Sequence, residues 1–141
     1  MIARAADRPD TGSAAAELVV LTPLMIVFTL ALLLGGRLGM AALQVGDATR
    51  TSIEAAVVEP TPDRAQIAAA VAAYSELRSD GLVCHPYAVA AGTASFRPGG
   101  LVTMQISCGV ALETFGLPGL AGRAVLASSA LAAIEPYREV G

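Results

Sequence analysis

One uncharged stretch constrains this chain more than any other feature of its sequence. From Leu18 to Gly36, nineteen residues follow one another without a charged side chain, between Glu17 and Arg37. At about 1.5 Å per residue, a helix of this length just crosses the roughly 30 Å hydrocarbon core of a bilayer. The alternative, a helix buried in a soluble core, rarely keeps so long a run free of charge. We therefore predict a membrane-spanning helix over residues 18–36.

The composition of the chain disfavours several classes of function. Of its 141 residues, 55% are hydrophobic and 15% are charged, where about 25% charged residues are usual. There is no tryptophan and one histidine, and the nine basic residues are all arginines that form no run. We therefore expect a single domain beside the span. We also expect no enzyme, no cofactor, no metal site and no nucleic-acid interface.

The arginines near the span indicate its orientation. Arg4 and Arg8 precede it, whereas Arg37 follows it closely and Arg50 comes only thirteen residues later. The positive-inside rule then favours a cytoplasmic N terminus and an extracytoplasmic C-terminal domain. A cleaved secretory signal is the competing interpretation, with residues 39–41 as its cleavage site. The apolar core of such a signal is normally about 7–15 residues, shorter than the stretch found here.

A carboxylate stands at the entrance of the predicted span. Gly12-Ser13-Ala14-Ala15-Ala16-Glu17 leads directly into the apolar residues. A charged side chain at the end of a spanning helix is costly and usually marks function. The ordinary alternative is that Glu17 lies among the lipid headgroups, in the first helical turn, where its negative charge interacts favourably with the helix dipole. The spacing of these residues indicates a more specific role for Glu17. A cut after Gly12 would make Ser13 the first residue of the mature protein and Glu17 the fifth.

These six residues, followed by apolar residues and Pro23, resemble the N-terminal motif of TadE-like proteins. That family consists of pilin-like components of the tight-adherence (Flp) pilus. Like type IV pilins, they carry a short leader ending in glycine, which a prepilin peptidase removes on the cytoplasmic side. The resemblance implies that Gly12 ends the leader, that Ser13 becomes the new N terminus, and that Glu17 and Pro23 are the glutamate and the proline of the pilin helix. It also implies a non-enzymatic inner-membrane protein that assembles with other pilin-like subunits and the pilus platform.

Helical periodicity continues beyond the span. Small and apolar residues recur with i, i+3, i+4, i+7 spacing as far as Val58, until Pro60 and Pro62 end the pattern. After a leader over residues 1–12, we predict one long helix over 13–59, with an amphipathic extension over 37–59. The face expected to be buried consists of Leu38, Ala41, Ala42, Val45, Ala48, Thr49, Ser52, Ile53 and Ala56.

Residues 60–141 are expected to form a small α+β domain that begins with a second helix. Thr61-Pro62-Asp63 combines a capping residue, a first-turn proline and an acidic residue near the positive end of the dipole. The helix is predicted to end near Arg78, before Ser79-Asp80-Gly81. Its apolar face is expected to consist of Ile67, Val71 and Tyr74.

A small antiparallel sheet of about three strands is predicted after this helix. Apolar residues alternate with polar ones from Val102 to Val110, which is typical of a half-buried strand. Leu82–Ala90 is a weaker strand, and Pro86 favours an edge position for it. Alternation in residues 123–134 fits a strand or a helix. The resemblance to TadE-like proteins implies a terminal strand there.

Cys84 and Cys108 lie on the two predicted hairpin strands. If the C-terminal domain is exported across the membrane, we expect the two cysteines to form a disulfide. The alternative is two buried thiols in a cytosolic protein. His85 beside Cys84 lacks the further residues that a thiol nucleophile or a metal site needs. If the cysteines face each other, the opposed pairs are all apolar: Leu82 with Val110, Pro86 with Ile106, Ala88 with Met104 and Ala90 with Val102.

Two functions from different classes follow from these observations. The first is a TadE-like minor pilin or pilus-assembly protein of a Tad/Flp type IV pilus, processed after Gly12. The second is a secreted or membrane-anchored extracytoplasmic binding module without a role in a pilus. The first residue of the mature protein separates them, because processing as a pilin leaves Ser13, secretion leaves Ala42 and a plain anchor keeps Met1.

Overall fold

The structure is a computed structural model that describes residues 11–116, 119 and 121–137, with side chains from residue 17 onward. Residues 1–10 of the predicted leader lie outside the described part. The fold is α+β, as predicted. Its regular elements are the helices α1 (Thr11–Val57) and α2 (Pro62–Ser79), the strands β1 (Tyr87–Gly92), β2 (Leu101–Ala111) and β3 (Arg123–Ala133), and a 3-10 helix over Leu112–Phe115.

The chain divides into two units between Gly36 and Arg37. The described part of the first unit is the upstream part of α1. It contains a window of eighteen residues with a mean hydropathy of 2.6, none of which is buried. By length and composition this segment is able to cross a membrane.

The second unit holds the hydrophobic core, which the downstream part of α1, the helix α2 and the sheet form together. Buried and exposed residues of β2 alternate from Leu101 to Ile106, and no residue from Ser107 to Ala111 is exposed. The buried members of this core cluster are Val45, Ala48, Ile53, Ala56, Ala65, Ala69, Ala73, Leu77, Val102, Met104, Ile106, Cys108, Val110 and Ile134.

The predicted buried face of the α1 extension is largely confirmed. Ala42 is exposed and Leu38 is half-buried. The two polar members of the face keep their hydroxyls bonded within the helix, with Thr49 donating to the carbonyl of Val45 and Ser52 to that of Ala48. Burial of these hydroxyls therefore leaves no donor unsatisfied. The members that are buried are Ala41, Val45, Ala48, Thr49, Ser52, Ile53 and Ala56.

The start of α2 is as predicted, but its buried face is not. The hydroxyl of Thr61 caps the helix by accepting from the backbone N–H of Arg64. Ile67, Val71 and Tyr74 are 66%, 64% and 55% exposed, so the predicted apolar face was wrong. The helix instead buries residues spaced by four, three of them alanines, whose small side chains allow a close approach to the core. They are Ala65, Ala69, Ala73 and Leu77.

The sheet has the order β1-β2-β3, and both pairings are antiparallel. The predicted register between β1 and β2 was wrong by three residues, because Val89 rather than Pro86 lies opposite Ile106. An odd displacement exchanges the two faces of a strand. Ala88 and Ala90 are therefore exposed. The larger side chains of Tyr87 and Val89 pack against the core instead.

Residues 123–133 form the third strand, which confirms the strand interpretation of this segment. All eleven residues of β3 pair with β2, from Arg123 opposite Ala111 to Ala133 opposite Leu101. Within the described residues β3 has no partner on its other side. Its side chains alternate between exposed and half-buried along the whole strand.

Candidate functional site

The predicted processing and assembly residues lie at the start of α1. The backbone of Gly12 and Ser13 is helical. The side chain of Glu17 is exposed and directly precedes the exposed Leu18. The described part of α1 begins at Thr11. Whether Glu17 acts in the first helical turn of the mature protein therefore stays a prediction.

Glu17 needs a cationic partner if it lies within the bilayer, since an ionised carboxylate in hydrocarbon is costly. Among the described residues, no ion pair involves Glu17. The next charged residue along α1 is Arg37, twenty residues away, which corresponds to about 30 Å of helix. That distance exceeds the reach of any side chain. Within the part of the chain that the structure describes, Glu17 therefore has no cationic partner.

The polar groups that follow Glu17 are mostly satisfied inside the helix. Thr22 donates its hydroxyl to the carbonyl of Leu18 at 2.6 Å, and Thr29 donates to that of Met25 at 2.8 Å. Such internal bonds are what a helix in lipid requires. Pro23 lies inside α1 and has no N–H to donate to the preceding turn. The region around Glu17 and Pro23 thus combines a charge and a missing backbone donor at the start of a long apolar stretch of α1.

Arg37 ends the uncharged stretch and is bound within the second unit. Its Nη1 donates to the carbonyl oxygen of Phe115 at 2.8 Å. Gly116, which follows, has a φ of +86°, and a Cβ at that position would lie 3.2 Å from the same nitrogen. A side chain there would be strained by its backbone conformation and would crowd the guanidinium group. The sequence identified Arg37 only as a flanking charge, because its partner lies 78 residues away.

The structure contains the predicted disulfide between Cys84 and Cys108. It is not a cross-strand pair, because Cys84 precedes β1 and the residue opposite Cys108 is Tyr87. The segment before β1 is held to β2 by two backbone bonds, from His85 N–H to the Gly109 carbonyl and from Gly109 N–H to the Pro86 carbonyl. Since both cysteines are oxidised, the free-thiol alternative is contradicted. A nucleophilic Cys84–His85 pair lacks its thiol.

A cavity of about 400 Å³ lies beside the disulfide, and its lining is mainly apolar. The hydroxyl of Tyr87 is buried there without a hydrogen-bond partner among the described residues. Burial raises the pKa of Tyr87 above its ordinary value of 10.0. The ring packs edge-on against that of Tyr74, with centroids 6.4 Å apart. This site was not predicted from the sequence, because the expected register placed Tyr87 on the outer face of the sheet.

Taken together, these features define a class of protein. A single N-terminal helix that is able to anchor the chain in a membrane continues into a small disulfide-bonded α+β domain. A cluster of three or more metal-ligating side chains is absent from the described part of the chain.

The family model of TadE-like proteins matches residues 12–54. The match confirms the resemblance predicted from the N-terminal motif, and it covers Gly12, Ser13, Glu17 and Pro23. It supports a protein related to the Tad pilus. The matched residues lie in α1, so α2 and the sheet are outside the match. A comparison with curated proteins and another with solved structures found no match.

Proposed function

We propose that this chain is a TadE-like minor pilin or pilus-assembly protein, processed by a prepilin peptidase and assembled through α1 into or at the base of a Tad/Flp pilus. One observation carries the proposal. Within the segment that matches the family, Glu17 immediately precedes an uncharged stretch whose apolar side chains are exposed, apart from the half-buried Leu34. A stretch of this kind is stable only when lipid or other subunits cover it.

The proposed location is the inner membrane, with residues 18–36 as a single span and residues 60–141 as an extracytoplasmic domain. The distribution of arginines supports a cytoplasmic N terminus. The disulfide supports exposure of the domain to an oxidising compartment. The proposed role is structural rather than enzymatic, as the family match supports.

Cleavage after Gly12 would create a cation able to neutralise Glu17. The new α-ammonium group of Ser13 and the carboxylate of Glu17 are each costly in hydrocarbon when unpaired. In an assembly, the amine of one subunit neutralises Glu17 of its neighbour. Assembly is then favourable because both charges leave lipid as a pair, and their contact sets the axial register of adjacent helices. The partners implied are the prepilin peptidase, other pilin-like subunits and the pilus assembly platform.

The decisive experiment is N-terminal sequencing of the protein recovered from membranes. Ser13 as the first residue is the expected result. Ala42 would indicate secretion after signal cleavage, and Met1 would indicate a plain anchor. Either of these would support the alternative of an extracytoplasmic binding module without a pilus.

A variant at Glu17 tests the pairing step separately from processing. Glu17→Gln is expected to remain in the membrane and to be cleaved, but to be recovered in the assembled fraction at much lower yield. Glu113→Gln, which removes an exposed carboxylate from the second unit, is the matched control and should assemble like the unaltered protein. Normal assembly of Glu17→Gln, together with an intact leader, would contradict the proposed function.

A further inference from the structure

The outer edge of β3 has no strand partner among the described residues. Alternate residues of an antiparallel edge strand direct their N–H and C=O groups away from their one neighbour. Between Ala124 and Ala133 there is no charged residue and no proline. Natural edge strands usually carry lysine, proline or a bulge that prevents pairing. Apart from Arg123 at its start, this eleven-residue strand contains no charged residue and no proline, and it pairs with β2 without interruption.

Both faces of β3 have apolar surface that an added strand would cover. On the outer face Val125 and Leu131 are 67% and 73% exposed. On the inner face Leu126, Ala130 and Ala132 pack against the core but remain half-buried. The core therefore stays partly open along this edge, and a further strand in the same sheet would close it.

The opposite edge of the sheet, formed by β1, complements the edge of β3 in the size and burial of its side chains. β1 is also uncharged from Tyr87 to Gly92. Its inner side chains, which include Tyr87 and Val89, are half-buried like those of β3. Its outer side chains Ala88 and Ala90 are small and exposed. Large outer side chains of β3 would thus lie beside small ones of β1, and half-buried inner residues would meet on the same face.

We propose that β3 of one copy of this chain pairs in parallel with β1 of a neighbouring copy, forming a sheet that continues from one copy to the next. The inference rests on the proposed function, since it assumes that both copies are anchored in one membrane by parallel α1 helices. Because β1 and β3 run in the same direction within a copy, two copies in the same orientation bring these edges together in parallel.

Pairing of two like edges is incompatible with that arrangement. Antiparallel pairing of β3 with β3 requires a twofold axis perpendicular to the sheet, which reverses the direction of any helix packed on it. Parallel pairing of β3 with β3 places the two helices on opposite faces of the sheet, so the half-buried inner residues would not meet. A head-to-tail contact between unlike edges avoids both problems. It leaves a free β3 edge on each added copy, so the contact is able to propagate.

Cysteine crosslinking in membranes distinguishes these arrangements. Ala90 and Ser129 are exposed on the outer face, and both pair with Gln105 in the same rung of the sheet. Ala90→Cys and Ser129→Cys are placed on separately tagged full-length copies that are produced together. In the proposed contact the two thiols lie one strand spacing apart, about 5 Å plus any offset of register. Like positions lie three spacings apart, about 14 Å.

A thiol-specific crosslinker with a reach of about 8 Å should therefore join Ala90→Cys to Ser129→Cys. We expect a dimer yield about tenfold above that of the control Ala70→Cys, which lies on an exposed position of α2. Combinations with Ala88→Cys and Ala127→Cys, in the adjacent exposed rung, cover offsets of two residues in either direction. Dominant crosslinking of Ser129→Cys to itself would overturn the inference, and so would control-level yields in all four unlike-edge combinations.

Proline substitutions supply an independent readout. Ala127 and Ser128 direct their N–H groups to opposite sides of β3, so one of Ala127→Pro and Ser128→Pro removes only an outward donor. That variant should keep the Cys84–Cys108 disulfide and lose most of the intermolecular crosslink. Unchanged crosslinking of the disulfide-bonded proline variant would also overturn the inference. N-terminal sequencing of the same membranes reports on processing, so a failure of the edge contact is distinguishable from a failure of the proposed function.

Discussion

The two parts of α1 differ in where they place their large side chains. Upstream of Arg37 the helix exposes leucine, isoleucine, valine and phenylalanine in every direction. Downstream it buries one narrow face composed mostly of alanine, valine, serine and threonine. An all-round apolar surface needs an apolar environment, whereas a narrow face of small residues fits closely against a protein core. One continuous helix therefore requires two different surroundings.

If the upstream part of α1 lies in lipid, arginines at its exposed apolar positions should prevent membrane insertion. Arginines at exposed apolar positions of the second unit should have no such effect. Ile26→Arg with Leu30→Arg should prevent stable membrane insertion. Each arginine near the centre of a span raises the free energy of membrane insertion by about 2.5–3.5 kcal/mol, so two raise it by about 5–7 kcal/mol. The measurement is the fraction of full-length protein that resists alkaline extraction from membranes.

The matched control places the same pair of charges on exposed apolar residues of α2. Ile67→Arg with Val71→Arg has the same spacing of four residues and should leave the membrane fraction unchanged. Equal retention of both double variants would show that the exposed upstream part of α1 is not a membrane span.

A second prediction concerns the buried face of the downstream part of α1. Ala48 is fully buried in the core, so Ala48→Leu should overpack it and lower the free energy of unfolding by about 1–3 kcal/mol. Urea unfolding of the full chain in detergent, followed by circular dichroism, measures the change. Ala42→Leu introduces the same side chain on the exposed side of the same helical stretch. Should Ala42→Leu destabilise the protein as much, the narrow buried face would be misplaced.

The smallest expected effect lies at Tyr87, on the sheet side of the core. Burial raises its pKa above 10.0, so the neutral phenol is favoured in the folded state. Ionisation of Tyr87 therefore does not affect the free energy of unfolding below about pH 10, and that free energy decreases as the pH rises from there through the folded-state pKa. Tyr87→Phe should remove that decrease and raise the free energy of unfolding at neutral pH by up to about 1 kcal/mol, because the hydroxyl has no partner.

Urea unfolding between about pH 8 and about pH 11 tests this prediction. Tyr137→Phe is the control, since Tyr137 is almost fully exposed, and its pH dependence should match that of the unaltered protein. If Tyr87→Phe retains the full decrease above pH 10, the decrease comes from another group.

Much of the fold was predictable because the signals are local. The uncharged stretch before Arg37 predicts, by its length alone, a helix that is able to cross a membrane, and the structure contains such a helix. The cap at Thr61 and the alternation in β2 depend on neighbouring residues, and both predictions were confirmed. The N-terminal motif is likewise local, which is why the family match also covers Gly12–Glu17.

The predictions that were wrong concern which face of a helix or strand is turned toward the core. In α2 the larger side chains of Ile67 and Val71 suggested the core face, but the space beside the sheet accommodates alanines. In β1 the assumption that Cys84 lies opposite Cys108 set the wrong register, because a disulfide is also able to join a strand to the segment preceding its neighbour. The local sequence pattern does not show how much space for side chains lies between a helix and a sheet.

The sequence by itself determined the uncharged helix, its acidic entrance and the order of helices and strands. These properties follow from the length of an apolar run, from helix caps and from side-chain period. Only the tertiary structure decided that α2 turns its large residues outward, that Arg37 binds the carbonyl of Phe115 and that β3 forms an open edge. These outcomes depend on packing and hydrogen bonds between segments distant in the chain, which no window of neighbouring residues contains.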